Sequence, residues 1–178
     1  SDSSDLTIRI NDDTPVSADV TASPVLDDDA QAGGNSGGAG DVADAATLSG
    51  AAGSLFTAGA DGTGAIALAG PVMTAIHVDG DGVAHQEAVT WTQTGPAADG
   101  SVTLTGSSAS IASVGVLVVH ADGSYDYSQF APVVSGTAGT PGAEETDGFV
   151  FSVSVTDGDG DSDSSDLTIR INDDTPVS

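Results

Sequence analysis

FVFSVSVTDGDGDSDSSDLTIRIN, residues 149–172, is the stretch whose reading decides the fold. Phe149, Phe151, Val153 and Val155 alternate with Val150, Ser152, Ser154 and Thr156, and Leu167, Ile169 and Ile171 alternate with Thr168, Arg170 and Asn172. An apolar period of two turns one face of each run to a core and the other to water, as in a half-buried strand. Between the runs Asp157, Asp159, Asp161 and Asp163 occupy every second position. Two strands therefore flank an acidic turn.

Working outward, further strands are expected at Ile66–Leu68, Ala75–Val78, Ala88–Gln93, Ser101–Thr105, Val114–His120 and Tyr125–Phe130, with a first strand at about Val16–Leu26. They are separated by Asp-Gly turns at Asp79-Gly-Asp-Gly, Asp99-Gly and Asp122-Gly, where those residues are the expected turn formers. Short strands at this spacing predict an all-β fold, an antiparallel immunoglobulin-like β-sandwich. Residues 27–64 are poor in apolar side chains and read as a long acidic, Gly-rich loop, a length that is normally functional or disordered.

The charge narrows the function. Two basic and 27 acidic residues give a formal charge of −25 over 178 residues, and the basic pair is Arg9 and Arg170. Nucleic-acid backbones and anionic membrane surfaces are recognised through clustered Lys and Arg, so neither is an expected partner. No apolar run is long enough to span a bilayer, so no membrane insertion is expected either. The absence of cysteine removes disulfides, thiol catalysis and thiolate metal sites. All acidic residues but Glu87, Glu144 and Glu145 are Asp, which favours turns over helices. Val, Leu, Ile and Phe make up about one residue in five, close to the boundary with disordered chains.

Residues 1–17, SDSSDLTIRINDDTPVS, recur letter for letter as residues 162–178. Such identity implies tandem modules that contact mainly their neighbours. Residues 1–13 are then the last strand and linker of a preceding repeat, 14–174 one complete sandwich, and 175–178 the start of the next. Residues 1–10 would extend away from the module, since they belong to another sheet.

Three acidic segments are candidate metal ligands. Asp157, Asp159, Asp161 and Asp163 repel one another, and calcium, which takes six to eight oxygens, would relieve that repulsion. The spacing is not an EF-hand: Ser162 and Thr168 stand where Gly and Glu are required, and strands flank it. Asn11, Asp12 and Asp13, and their copies Asn172, Asp173 and Asp174, follow Leu-Thr-Ile-Arg-Ile and precede Thr-Pro, making a stiff junction rich in oxygen. Asp27, Asp28 and Asp29 form the third cluster, followed by Asn35, Asp41 and Asp44. A solvated acidic turn or loop is the alternative for the Asp157–Asp163 and Asp27–Asp29 segments. In a sandwich of this topology Asp157–Asp163 should meet Asn11–Asp13 at one pole, and Asp27–Asp29 should approach Asn172–Asp174 at the other.

The junction resembles the cadherin inter-domain linker, Asp-x-Asn-Asp-Asn-x-Pro, departing at Arg9 (Arg170), where that linker has Asp, and at Asp13 (Asp174), where it has Asn. More broadly, Thr-Asp-Gly-Asp-Gly-Asp, Asp-Leu-Thr-Ile-Arg-Ile-Asn-Asp-Asp-Thr-Pro, Ala-Asp-Gly-Ser-Tyr-Asp-Tyr and Leu-Asp-Asp-Asp-Ala-Gln-Ala-Gly-Gly-Asn together resemble the extender repeats of bacterial RTX adhesins, over essentially the whole unit. The resemblance implies a giant protein exported by type I secretion to the extracellular bacterial cell surface. Its tandem immunoglobulin-like modules would rigidify on Ca2+, serving as spacers that hold an adhesive tip away from the cell. Adjacent repeats would be the partners, and an isolated module would be monomeric. The nonapeptide calcium β-roll appears only as the broken Gly37-Gly-Ala-Gly-Asp-Val, so this segment is not the β-roll.

No enzyme is expected. His77, His85 and His120 are scattered, no nucleophile motif is present, and adjacent Glu144 and Glu145 would point to opposite faces of a strand. The rival class is a carbohydrate- or surface-binding module, for which Trp91, Tyr125 and Tyr127 are the candidate stacking residues. Aromatics alternating along strands are, as the other reading, core residues.

Overall fold

β-Branched and aromatic residues alternating with Ser, Thr and Ala give strands that bury one face each. A computed structural model describes residues 12–31, 42–134 and 146–172. Its strands are β1 (Val16–Ser17), β2 (Val20–Thr21), β3 (Leu26–Asp27), β4 (Thr47–Gly50), β5 (Phe56–Thr57) and β6 (Thr63–Ala69). β7 (Thr74–Val78), β8 (Ala84–Ala88), β9 (Thr90–Thr94), β10 (Val102–Ser107) and β11 (Gly115–Val119) follow. β12 (Tyr125–Gln129), β13 (Val133–Val134), β14 (Thr146–Asp157) and β15 (Ser162–Asn172) complete the set, and a single 3-10 turn spans Asp28–Ala30.

The fold is all-β, a sandwich of two facing sheets. One has the order β4-β12-β11-β10-β9, the other β2-β15-β14-β6, with β3 also on β15. Their inner faces meet at Phe151, which is fully buried and takes Trp91 edge-on at 5.0 Å and Tyr127 at 5.5 Å between ring centres. Trp91 fits because Gly70 and Gly106 flank its ring; a β-carbon on either would lie within 3 Å of it. Phe149, Val153, Val155, Leu167, Ile169 and Ile171 line the same core, as their alternation predicts. Along one side, Gln93 of β9 stands in for a missing strand. Its side-chain carbonyl accepts from the Leu68 amide (2.7 Å) and its amide donates to the Ile66 carbonyl (3.3 Å), joining β9 to the edge strand β6.

The spine is the β14–β15 hairpin, paired without a break from Thr146↔Asn172 to Thr156↔Ser162. Eleven residues of strand span roughly 33 Å, and this length sets the distance between the poles. Asp157–Asp161 is the turn at one end, and Asn172 lies at the other. The sandwich is not purely antiparallel: β2 and β3 run parallel to β15, pairing Leu167↔Val20 and Ile171↔Leu26. The incoming chain thus descends beside the last strand, as the topology argument requires.

Two expectations are corrected. The single strand expected at Ala88–Gln93 is two, β8 and β9, in different sheets, because at Val89 the chain leaves the small sheet β13-β7-β8 for the main one. The stretch 27–64 is not one loop: it carries β3, the 3-10 turn, β4 and β5, and it buries Leu48, Leu55 and Phe56. Strands of two to four residues offer one inward side chain or two, too few to establish a period. Residues 1–10, with the expectation that they extend away, lie outside the described residues, as do the Gly-rich 32–41.

Phe151→Ala should cost about 3–5 kcal/mol in urea unfolding, since it removes the ring on which both sheets close. Val150→Ala, on the exposed face of the same strand, should cost well under about 1 kcal/mol.

Candidate metal centres

At the turn between β14 and β15, the backbone first organises one carboxylate. Asp157 Oδ1 accepts from the amides of Gly160 (3.0 Å) and Asp161 (2.8 Å), while the Asp157 amide donates to the Asp161 carbonyl (2.9 Å). Gly160 makes this turn possible, with φ of 112°. Asp157 itself is 3 % exposed, and its Oδ2 is buried with no hydrogen-bond partner. A dehydrated carboxylate oxygen without a donor is costly, and a bound cation is the usual remedy.

Carboxylates gather there. Oxygens of Asp157, Asp159 and Asp161 lie within 4.8 Å of one another, and so do oxygens of Asp12, Asp61 and Asp159. Asp159 belongs to both groups. Asp12 arrives on the incoming segment, so the expected meeting of that segment with the Asp157 turn occurs. Asp13 is bound beside it, its Oδ2 accepting from the Ala60 amide at 2.9 Å. Asp61 carries no signal of its own in the sequence, where Asp61-Gly-Thr is one more Asp-Gly turn. Gly158 packs against the Asp61 carbonyl so closely that a β-carbon would sit 2.5 Å from it, and this contact holds the two turns together. Asp163 plays a different part. Its Oδ2 accepts from the Ser17 amide (2.8 Å) and its Oδ1 from the Ser164 amide (2.9 Å), tying β1 to β15. The Ser17 amide, and then that of Ser164, hold its carboxyl below the usual Asp value.

At the opposite pole the acids are buried outright. Asp27, Asp28 and Asp29 are 1 %, 0 % and 9 % exposed. Asp27 caps the 3-10 turn, its Oδ1 accepting from the Asp29 amide at 3.0 Å, and it is in register with Asn172 of β15. Asp28 Oδ2 accepts from the Val133 amide at 2.9 Å. Burial, reinforced by the charge of Asp28, pushes the Tyr127 phenol up; its hydroxyl donates to Gln129 Oε1 at 2.5 Å. Asn172 is 2 % exposed and its Oδ1 accepts from Thr146 Oγ1 at 2.7 Å. Three successive carboxylates are thus withdrawn from water beside β15. Asn11, Asp173, Asp174, Asn35 and Asp41 lie outside the described residues, and Asp44 is exposed.

The groups around Asp159 offer carboxylate oxygens, a donor type that suits a hard cation. The Asp-Gly turns at Asp99 and Asp122 are ordinary turns. Asp99 Oδ1 accepts from the amide and hydroxyl of Ser101, and Asp122 Oδ1 does the same with Ser124, which lowers both carboxyls. Tyr125 and Tyr127 are buried and Trp91 donates Nε1–H to the Pro71 carbonyl (2.9 Å), so these aromatics form core and not an exposed platform.

Comparison with known proteins returns no match to a family model, a curated protein or a solved structure.

Because the folded state holds Asp163 below its ordinary value of 3.8, its contribution is complete above that pH and disappears as pH falls through the lower folded value. The stability advantage of the wild type over Asp163→Asn should therefore be constant from pH 7 to about 5, begin to fall near about 4 and keep falling as the pH drops further. Urea titrations across that range check it; an advantage that survives at pH 2 would assign the loss to packing, not charge.

Proposed function

We propose that this chain is a calcium-stabilised structural spacer, an extender module of a giant cell-surface adhesin that holds the adhesive tip away from the cell. The observation that carries the reading is Asp157: a buried carboxylate with an undonated oxygen, at a turn where Asp159, Asp161, Asp61 and Asp12 of the incoming segment converge. Calcium held there supplies positive charge to those oxygens and links incoming chain, Asp61 turn and Asp157 turn into one body. We extend the reading to the other pole on position alone, since Asp27–Asp29 lie buried beside Asn172 at the far end of β15. Each joint of a tandem array would then be stiff with calcium and loose without it, because unscreened carboxylates repel. The repeat of residues 1–17 at 162–178 supports such an array, with adjacent repeats as the partners.

On this reading the module acts outside the cell, on a bacterial surface reached by type I secretion, and is monomeric when isolated. It carries no catalysis, binds no nucleic acid and does not insert into membranes. On the same reading the sandwich is immunoglobulin-like, with the proposed ion sites at its two ends. A carbohydrate-binding module is not favoured, since Tyr125 and Tyr127 are spent on the core.

The melting temperature should rise steeply in millimolar calcium and much less in sodium of equal ionic strength; a ligand at a hundred times its Kd adds about 2.7 kcal/mol. Asp159→Ala with Asp161→Ala should remove much of that rise. In a two-repeat protein the same pair should shorten the calcium-loaded maximum dimension measured by X-ray scattering. Equal melting in calcium and in chelator would sink the proposal.

A further inference from the structure

The β7–β8 hairpin carries chemistry that the spacer reading does not use. His77 and His85 are directly opposite in its register. The Asp79 amide donates to the Val83 carbonyl and the Val89 amide to the Met73 carbonyl, each at 3.0 Å, and the bonded pairs alternate between those two. His77↔His85 is therefore a hydrogen-bonded pair, with α-carbons about 5.5 Å apart and both side chains on one face. That face begins in the core at Met73 and Ala75 and emerges toward the turn as His77, His85 and Asp79.

The backbone beneath is fixed. Asp79 Oδ1 accepts from the Asp81 and Val83 amides, both at 2.9 Å, which locks the turn. Farther along, Glu87 clamps β8 to the loop after β10, its Oε2 accepting from Ser108 Oγ (2.6 Å) and from the Ser110 amide (2.8 Å). Asp79 Oδ2, the oxygen not used by the turn, lies 2.8 Å from His85 Nε2. Two ligands at about 2.0–2.1 Å from a tetrahedral metal are about 3.3 Å apart, so replacing the shared proton by a metal needs a widening of about half an ångström. His77 stands opposite on the facing strand; its ring nitrogens are not gathered with the other two in the structure, and a rotation of its side chain is what the third ligand requires.

We propose that His77, His85 and Asp79 form a site for a borderline divalent transition metal of the zinc class, on the hairpin and separate from the all-oxygen poles. Two imidazole nitrogens and one carboxylate suit zinc, copper or nickel and are poor ligands for calcium, so the site selects a different ion from the same medium. The assignment stands whether or not the poles hold calcium. His120 is an internal control: its Nε2 meets Asp126 Oδ2 at 3.0 Å, but no second histidine faces it.

The test is titration of the full chain with Zn2+ alone, with and without saturating calcium, followed by calorimetry and by the histidine ring resonances in NMR. A single zinc should bind in both conditions, shifting the rings of His77 and His85 and leaving His120 in place. His77→Ala and His85→Ala should each weaken binding at least about tenfold, and Asp79→Asn, which keeps the turn acceptor, by about tenfold. His120→Ala should change nothing. Absence of binding at millimolar zinc, or binding that survives loss of both His77 and His85, overturns the site. The wild-type ring shifts decide the matter even where a variant fails to fold.

Discussion

Taking carboxylates out of water in a chain with almost no positive charge is the constraint on which both ends of this molecule depend. Asp27, Asp28, Asp29 and Asp157 are all buried, while the formal charge is −25 and the described arginine, Arg170, faces solvent. A buried carboxylate costs several kcal/mol unless hydrogen bonds or an opposite charge offset it. Backbone amides of Gly160, Asp161, Asp29 and Val133 meet part of that need. Amides share their dipoles and leave the net charge untouched, so repulsion among neighbouring acids persists. At the Asp157 turn, where three carboxylates gather and one buried oxygen has no donor, that repulsion is the physical basis for proposing a cation.

The second constraint is length. β14 and β15 form one long, uninterrupted hairpin, and every other element is placed relative to it. Its turn brings Asp157, Asp159 and Asp161 to one end, while its far end carries Asn172 into register with Asp27. Since β2 and β3 run parallel to β15, the incoming chain must start at the Asp157 end and reach Asp27 at the other. The two acidic clusters therefore sit at opposite ends of the hairpin, one beside the Asp12 segment and the other beside the far end of β15. The core itself is ordinary, closed by Phe151 against Trp91 and Tyr127.

Acid at this density serves two unlike purposes. In Asp99 and Asp122 the carboxylate replaces a backbone acceptor within a tight turn and remains exposed to water. In Asp157 the same turn chemistry occupies one oxygen and leaves the other buried. The residue types are identical in the two cases; what differs is whether a neighbouring segment, here the Asp61 turn and the Asp12 segment, covers the turn.

The sequence by itself determined the strands whose apolar alternation runs for five residues or more, the Asp-Gly turns between most of them, the all-β class and the tandem identity. These are local properties, set by side-chain period and backbone preference. It also marked Asp157, Asp159, Asp161 and Asp27–Asp29 as acidic clusters, and the poles they occupy followed from strand direction. Only the tertiary structure decided that Asp61 joins Asp12 and Asp159, that Asp163 instead ties down Ser17, that Leu48, Leu55 and Phe56 belong to the core, and that His77 faces His85. Each of these depends on segments distant in sequence being laid side by side. Strand register and the packing of one turn on another are set by the whole core at once, and no window of sequence contains that information.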